Sequence, residues 1–246
     1  MPRFFAPNSA FDEGRVTITG EDAFHIARSL RMAVGDEITV CDMAKREHLC
    51  KLSRIRDEEC LADIISSRDG ATESPVEISL FMAYPKGDKL ETVIQKAVEL
   101  GATNVIPFES SRCIKRPSAD KAEKQNARFS RIAEEAAKQC GRAALPKVFL
   151  PISYKEALSR AMQSELPIFC YEGDGTKSFK KVLNENKNAK SISLVIGSEG
   201  GFSRDEAEAA KEAGLIPVNL GPRILRCETA PSYALSAISY FFELEE

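Results

Sequence analysis

Leu194-Val-Ile-Gly197-Ser198-Glu199-Gly200-Gly201-Phe202-Ser203-Arg204-Asp205-Glu206 passes from a short apolar run through a glycine turn into the start of a helix. Ser203 and Glu206 stand at the S-x-x-E spacing of a capping box, in which each side chain satisfies an amide that the first helical turn leaves without a partner. The glycines allow the backbone to approach a ligand closely and expose amides beside a helix N-terminus. Their spacing is not G-x-G-x-x-G, and Gly173-Asp-Gly-Thr-Lys-Ser178 lacks the G-x-x-x-x-G-K-[ST] order. A dinucleotide fingerprint and a phosphate loop are therefore both absent. Taken alone, the run also reads as a plain strand-to-helix connection.

The same strand, turn and helix succession extends outward from this stretch over everything after Pro75. Strand-like runs at Ile78–Ala83, Val105–Phe108, Lys147–Leu150, Ile168–Tyr171, Ser193–Ile196 and Ile216–Leu220 alternate with predicted helices at Lys89–Leu100, Ala122–Cys140, Tyr154–Met162, Ser178–Asn184, Arg204–Ala213 and Pro231–Glu243. Such alternation implies a mainly parallel sheet covered by helices on both faces, with ligands held beyond the carboxyl ends of its strands. One of those ends, Leu220-Gly-Pro-Arg-Ile-Leu-Arg-Cys-Glu-Thr-Ala230, is an irregular loop with two arginines and a glutamate, and Pro231 suits the first turn of the helix after it. The loop reads either as part of a site or as a solvated salt-bridge loop. With Tyr171-Glu-Gly173 and the Gly197 turn it makes three strand-end loops converging on one pocket.

Before Pro75 the period is shorter. Gly14–Gly20 and Gly35–Asp42 alternate apolar and polar residues, which reads as a small β-rich unit, with one helix expected in Gly20–Arg31 from the spacing of Phe24, Ala27 and Leu30 or Arg31. Arg68–Pro75 carries turn residues without apolar anchors and divides the chain into domains 1–70 and 75–246. With 43% hydrophobic and 29% charged residues among 246, disordered and fibrous classes are excluded. Seven cysteines without a C-x-x-C pair and two histidines exclude a disulfide scaffold and a standard zinc site, and imply a reducing compartment and no metal. No window approaches the roughly 18 apolar residues of a membrane span and the N-terminus lacks a secretory apolar core, so a soluble, cytoplasmic protein with no membrane partner is expected.

The net charge of −3 argues weakly against a nucleic-acid partner, yet it is unevenly placed. Arg112–Lys147 holds ten basic residues against four acidic ones, a local net of +6, and Lys121, Lys124, Arg128 and Arg131 share one face of the predicted helix. That is a phosphate-sized footprint, although a solvated basic face has the same composition.

The paired runs Ile196–Ser203 and Leu220–Ala230 resemble the signature of the SPOUT methyltransferases, and within them most closely the bacterial family that methylates uridine N3 in small-subunit (16S) ribosomal RNA, the RsmE type. The likeness covers nearly the whole chain. Arg3-Phe-Phe5 and His25–Arg31 resemble that family's N-terminal segment, and Gln95–Ala102 and Arg131–Arg142 its middle motifs, with Phe129 where the family favours Trp and Cys227 where it has Thr or Ser. The resemblance implies an α/β fold in which a PUA-like RNA-binding β-barrel precedes a SPOUT domain with a parallel sheet and a deep trefoil knot, one of the rare exceptions to unknotted chains.

It further implies S-adenosylmethionine as cofactor, cradled by Tyr171, Glu172 and Gly173, by Ile196, Gly197, Ser198, Glu199, Gly200 and Gly201, and by Leu220, Gly221, Ile224, Leu225, Arg226, Thr229 and Ala230. Uridine N3 must lose a proton to attack, so the chemistry calls for a cation near the flanking carbonyls and a proton route. Arg226 is assigned the first role and Glu228 that of proton acceptor or loop organiser, while Glu199 is read as shaping the cofactor loop. The RNA-contact candidates are Arg3, Arg28 and Arg31 in the small domain and Arg112, Lys115, Arg116, Arg128, Arg131 and Arg142 in the basic segment. The expected partner is 16S ribosomal RNA within the small subunit. A homodimer through the knotted domain is also implied, for which the stripe Ala234, Leu235, Ile238, Phe241 and Phe242 is the candidate face, with core packing as its other reading. Two alternatives stay open at this point: a ribose 2'-O methyltransferase of the same class, and a non-catalytic ribosome-assembly factor that binds RNA.

Overall fold

Alternating apolar residues in the first seventy positions fold as strands: β1 (Arg3–Phe5), β2 (Phe11–Asp12), β3 (Arg15–Thr19), β4 (Glu37–Cys41), β5 (Arg46–Ile55) and β6 (Glu59–Asp69). The computed structural model describes residues 1–113 and 119–244. These divide into two units, Met1–Glu73 with Ala137–Leu145, and Ser74–Ala136 with Pro146–Glu246. The expected boundary near residue 70 leaves Ala137–Leu145 in the second domain, because nothing in its composition marks it off from the helix it ends.

In the first unit the strands order as β1-β4-β5-β6-β3-β2, antiparallel except for β1 on β4. One face gathers Phe4, Val16, Ile18, Ile38, Val40, Leu52 and Ala62 into a single core, and register shifts in the β5–β6 pair strengthen the local bend. The helix expected over Gly20–Arg31 is α1 (Gly20–Phe24) running into a π turn, His25–Ser29. Ala23 and Ile26 are buried, whereas Phe24 and Leu30, expected on the apolar face, are 53% and 40% exposed; the wider turn bears on Leu30, while Phe24 precedes it and simply lies on the outer side of α1.

The other face of this sheet is polar. Arg3 Nη1 donates to Glu47 Oε1 at 2.8 Å and to the Arg142 carbonyl at 3.2 Å, and Arg68 reaches Glu47 Oε2 at 2.7 Å. Beside them Arg142 bonds Glu73 at 2.6 Å, and the same carboxylate accepts the Ala143 and Ala144 amides at 3.0 and 3.1 Å. Buried ions of this kind persist only when paired and hydrogen-bonded, as these are.

The second unit alternates β7 (Glu77–Ala83), α2 (Lys89–Glu99), β8 (Asn104–Glu109), α3 (Ala119–Cys140, of which residues 119–136 belong here), β9 (Lys147–Val148), β10 (Ile152–Ser153), α4 (Tyr154–Ala161), β11 (Leu166–Cys170), β12 (Lys177–Ser178), α5 (Phe179–Glu185), β13 (Ser191–Ile196), α6 (Arg204–Glu212), β14 (Ile216–Asn219) and α7 (Thr229–Phe242). Among the described residues its sheet is parallel throughout, in the order β10-β8-β7-β13-β11-β14-β12 with β9 also on β8. Of the run expected at Lys147–Leu150 only β9, Lys147–Val148, is a strand, and β10 follows at Ile152 beyond Pro151, which has no amide hydrogen to give to a ladder. Strand β13 is central and buried from Ile192 to Ile196, apolar there except for the hydrogen-bonded Ser193, as a strand covered on both faces must be. Helix α2 buries Leu90, Val93, Ile94, Ala97 and Val98, the helical period that made it legible.

Candidate active site

The crossovers place the carboxyl ends of β7, β13, β11 and β14 side by side, which is where an open parallel sheet leaves a crevice. A cavity of about 770 Å³ opens there, within the size range of small-molecule sites. Residues 170–173, 196–202 and 219–228 line it, together with Lys89, Arg112 and Ala230. All the cofactor-site candidates from the sequence meet in this lining except Thr229, whose amide instead donates to the Arg226 carbonyl at 2.8 Å at the start of α7.

The glycine turn is shaped by close packing. The Ser203–Glu206 capping box is present, and Glu206 Oε1 also accepts the Ser111 amide at 2.6 Å. Phe202 sits under the turn against Phe169, ring centroids 4.5 Å apart, and Tyr171 stacks on Phe169 at 5.6 Å. A Cβ on Gly197 would lie 3.1 Å from the Phe202 ring, and one on Gly200 would lie 2.9 Å from Arg112 Cβ. Gly201 holds φ +62°, a conformation that favours glycine. Arg112, expected among the RNA contacts, donates to the Gly200 carbonyl at 2.9 Å and thus belongs to this loop.

Two carboxylates from different loops converge on one ammonium. Lys89 Nζ lies 3.0 Å from Glu199 Oε1 and 3.3 Å from Glu228 Oε2. The Lys86 amide also donates to Glu199 at 3.2 Å, and the Cys227 thiol to Glu228 Oε2 at 3.2 Å. Partial burial pushes the Glu199 carboxyl up, but the bonds from Lys89 and the Lys86 amide outweigh it and hold the group below the usual carboxylate range. Glu228 is held low by its own amide, by the Cys227 thiol and by Lys89. The bond to Glu199, helped by that to Glu228, raises the Lys89 ammonium. Burial pushes the Cys227 thiol up to about 12, so it carries no thiolate at neutral pH.

Lys89 escapes a reading of the sequence, though a signal is there. A cation in the first turn of a helix opposes the macrodipole, so a lysine at that position calls for acidic partners. By contrast, Arg226 is exposed, lines the cavity and has no side-chain partner among the described residues.

The remaining RNA candidates fall into distinct environments. Arg3 and Arg142 are spent in the buried polar face of the first unit, with side chains 13% and 4% exposed, which leaves them few donors for phosphate. Arg28 makes a two-pronged pair with Asp57 at 2.9 and 2.6 Å on the surface, and Arg31 is exposed with φ +52°. On α3, Arg128 pairs with Glu91 at 2.8 Å and Arg131 with Glu135 at 3.2 Å, both two-thirds exposed. Lys115 and Arg116 lie outside the described residues. Of the stripe on α7, Ala234, Leu235 and Ile238 are buried within their own unit and Phe241 and Phe242 are half-buried, while Tyr233 and Tyr240, outside the stripe, are exposed. Among the described residues no helix is long and apolar enough to cross a membrane, and no group of three metal-ligating side chains is assembled.

Comparison with known proteins identifies the class. Residues 72–239 match the RNA methyltransferase domain family and residues 18–65 the RNA methyltransferase PUA domain. The ribosomal RNA small subunit methyltransferase E of Bacillus subtilis is 37% identical over 93% of this chain and 91% of its own length. The Neisseria gonorrhoeae protein of that name, solved bound to S-adenosyl methionine, superposes with a TM-score of 0.87 at 32% identity over 98% of both chains. A Legionella pneumophila methyltransferase solved with the same cofactor gives 0.86 at 28% identity over 96% of both. The chain belongs to the ribosomal RNA small subunit methyltransferase E family.

Proposed function

We propose that this protein transfers the methyl group of S-adenosylmethionine to N3 of a uridine in 16S ribosomal RNA, in the cytoplasm and within the small subunit. The observation that carries the reading is the cavity where three strand-end loops meet around Arg226, which has no side-chain partner among the described residues. The residues present fit the cofactor: a crevice of about 770 Å³, glycines at 173, 197 and 200 where any Cβ would crowd a neighbour, and Ser198 Oγ buried without a hydrogen-bond partner among the described residues. The backbone of residues 171–173, 197–201 and 220–226 would hold it. When bound, the cofactor supplies a methyl group activated by its sulfonium.

The chain's own residues supply alignment and charge. Arg226 is the positioning and stabilising cation for negative charge on the uridine carbonyls as N3 loses its proton. A good general base has a pKa near the working pH, so the depressed Glu228 is ill matched to accept that proton and suited to anchoring its loop. Of its two expected roles the geometry therefore favours the organiser. We assign residues 1–70 to RNA binding and 75–246 to catalysis, with the trefoil knot and the homodimer of the SPOUT class. Tyr233 and Tyr240, exposed on one side of α7, support the dimer. Arg31, Arg128 and Arg131 are the phosphate contacts we favour over Arg3 and Arg142.

The test is methyl transfer from labelled cofactor to small subunits from a strain lacking the gene, followed by primer extension. N3 methylation blocks the pairing edge and gives a stop; read-through at a methylated site would point to the ribose and refute the N3 assignment. Arg226→Ala should lower kcat by about 10²–10³-fold while cofactor affinity holds.

A further inference from the structure

We propose that Lys89 is a positioning residue that ties the Glu199 turn to the Glu228 loop and so sets the two walls of the methyl-transfer cavity in register. The inference rests on the function proposed above and deepens it.

Glu199 enters after β13 and Glu228 after β14, strands that are not neighbours in the sheet, β11 lying between them. Their side chains nevertheless meet at one Nζ, at 3.0 and 3.3 Å. No backbone hydrogen bond joins the two loops among the described residues, so the ammonium is the link between them. Glu199 follows the Gly197 and Ser198 lining, and Glu228 follows Arg226 by two residues; the Arg226 carbonyl accepts the Thr229 and Ala230 amides, which fixes the loop's exit into α7. Pulling Glu228 toward α2 therefore pulls the segment that carries Arg226. The arrangement is anchored at its other end too, because the Lys86 amide holds Glu199 and Leu90, next to Lys89, is buried. The other charged groups of the cavity do not share this duty: Arg112 is bonded to Gly200, and Glu172, Arg223 and Arg226 have no ion pair among the described residues. Glu91, near Lys89 on α2 but outside the cavity lining, is paired with Arg128.

Removing the ammonium leaves two carboxylates facing one another. A carboxylate beside a like charge takes up a proton more readily, so acidification relieves their repulsion. A loss due only to misfolding has no reason to shrink on acidification.

The experiment compares Lys89→Met, Lys89→Arg and wild-type protein by cofactor calorimetry, by kcat on small subunits and by unfolding midpoint. Lys89→Met should weaken S-adenosylmethionine binding and lower kcat by about 10²-fold, the cost of misplacing reacting groups by an ångström. The unfolding midpoint should stay close to wild type. Lys89→Arg should recover most of both losses, and the Lys89→Met deficit should narrow as pH falls from about 7 toward the carboxylate range, because a carboxylate beside a like charge takes up a proton more readily. A Lys89→Met protein that binds and turns over as wild type overturns the assignment. So does a deficit that is flat with pH and unrescued by arginine. Wild-type protein that neither binds cofactor nor transfers methyl overturns the function reading itself, and is distinguished by that control.

Discussion

Arg142→Met separates a structural arginine from an RNA contact. In the first unit Arg142 is 4% exposed and bonds Glu73 at 2.6 and 3.3 Å, while its carbonyl accepts from Arg3. Removing one partner of a buried ion pair costs about 3–5 kcal/mol, because the other charge stays buried. Glu73 would retain the Ala143 and Ala144 amides, which places the loss at the lower end, about 3 kcal/mol. In a unit of roughly 80 residues each kcal/mol moves the midpoint by about 4–8 °C, so a fall of roughly 12–24 °C is expected for this unit. Burial pushes the Glu73 carboxyl up, but Arg142 and the two amides outweigh it and leave it below its ordinary value. A depressed carboxyl stabilises the folded state above the unfolded-state pKa, and that stability is lost as pH falls through the folded value. The deficit of Arg142→Met should therefore shrink below about pH 4.3, the ordinary value for Glu. Thermal and urea unfolding followed across that range measure it. An unchanged midpoint combined with weaker RNA affinity would refute the structural role and return Arg142 to the RNA-binding face.

Three further perturbations address the rest of the molecule. Reversing Arg128 and Arg131 to Glu should weaken RNA binding and flatten its salt dependence by about one unit of slope for each phosphate no longer neutralised, with cofactor affinity unchanged; a fall in cofactor affinity would assign that face to the fold. Gly200→Ala brings a Cβ to 2.9 Å from Arg112 Cβ, so the turn must shift. At about 1–3 kcal/mol for overpacking, cofactor Kd should rise about 5- to 150-fold by calorimetry, and an unchanged Kd would show that the turn yields freely. Because its thiol is held near pKa 12, Cys227 should resist alkylation at neutral pH in the folded protein, and labelling at the rate of an ordinary exposed thiol would contradict that environment.

Features of short range were legible in the sequence. The Ser203–Glu206 cap, the α2 stripe and the apolar β13 each depend on residues within a few positions of one another, so periodicity and spacing suffice to find them. The three loops could be placed together because parallel sheets put strand ends on one edge. What escaped required tertiary knowledge. Arg3 and Arg142 look like any surface arginines until the carboxylates opposite them, Glu47 and Glu73, are placed. The inward face of Ala23 and Ile26 escapes a reading that follows the larger Phe24, and the π turn after it displaces Leu30 by an amount the sequence does not announce. Lys89 needed both glutamates, more than a hundred residues away, brought to one point.

Completion of the first unit by Ala137–Leu145 bears on how the chain is made. A nascent chain emerging residue by residue holds Glu73 long before Arg142 exists to neutralise it. At about 5–20 residues per second the intervening stretch takes roughly 3–14 s to synthesise. During that interval the first sheet can form its apolar core, while its polar face waits, open to solvent, for a piece of chain that arrives after β7, α2 and β8 have been translated. A fragment ending near residue 70 would stay at that stage permanently, with Arg3 keeping Glu47 but lacking the Arg142 carbonyl that accepts from it in the whole protein.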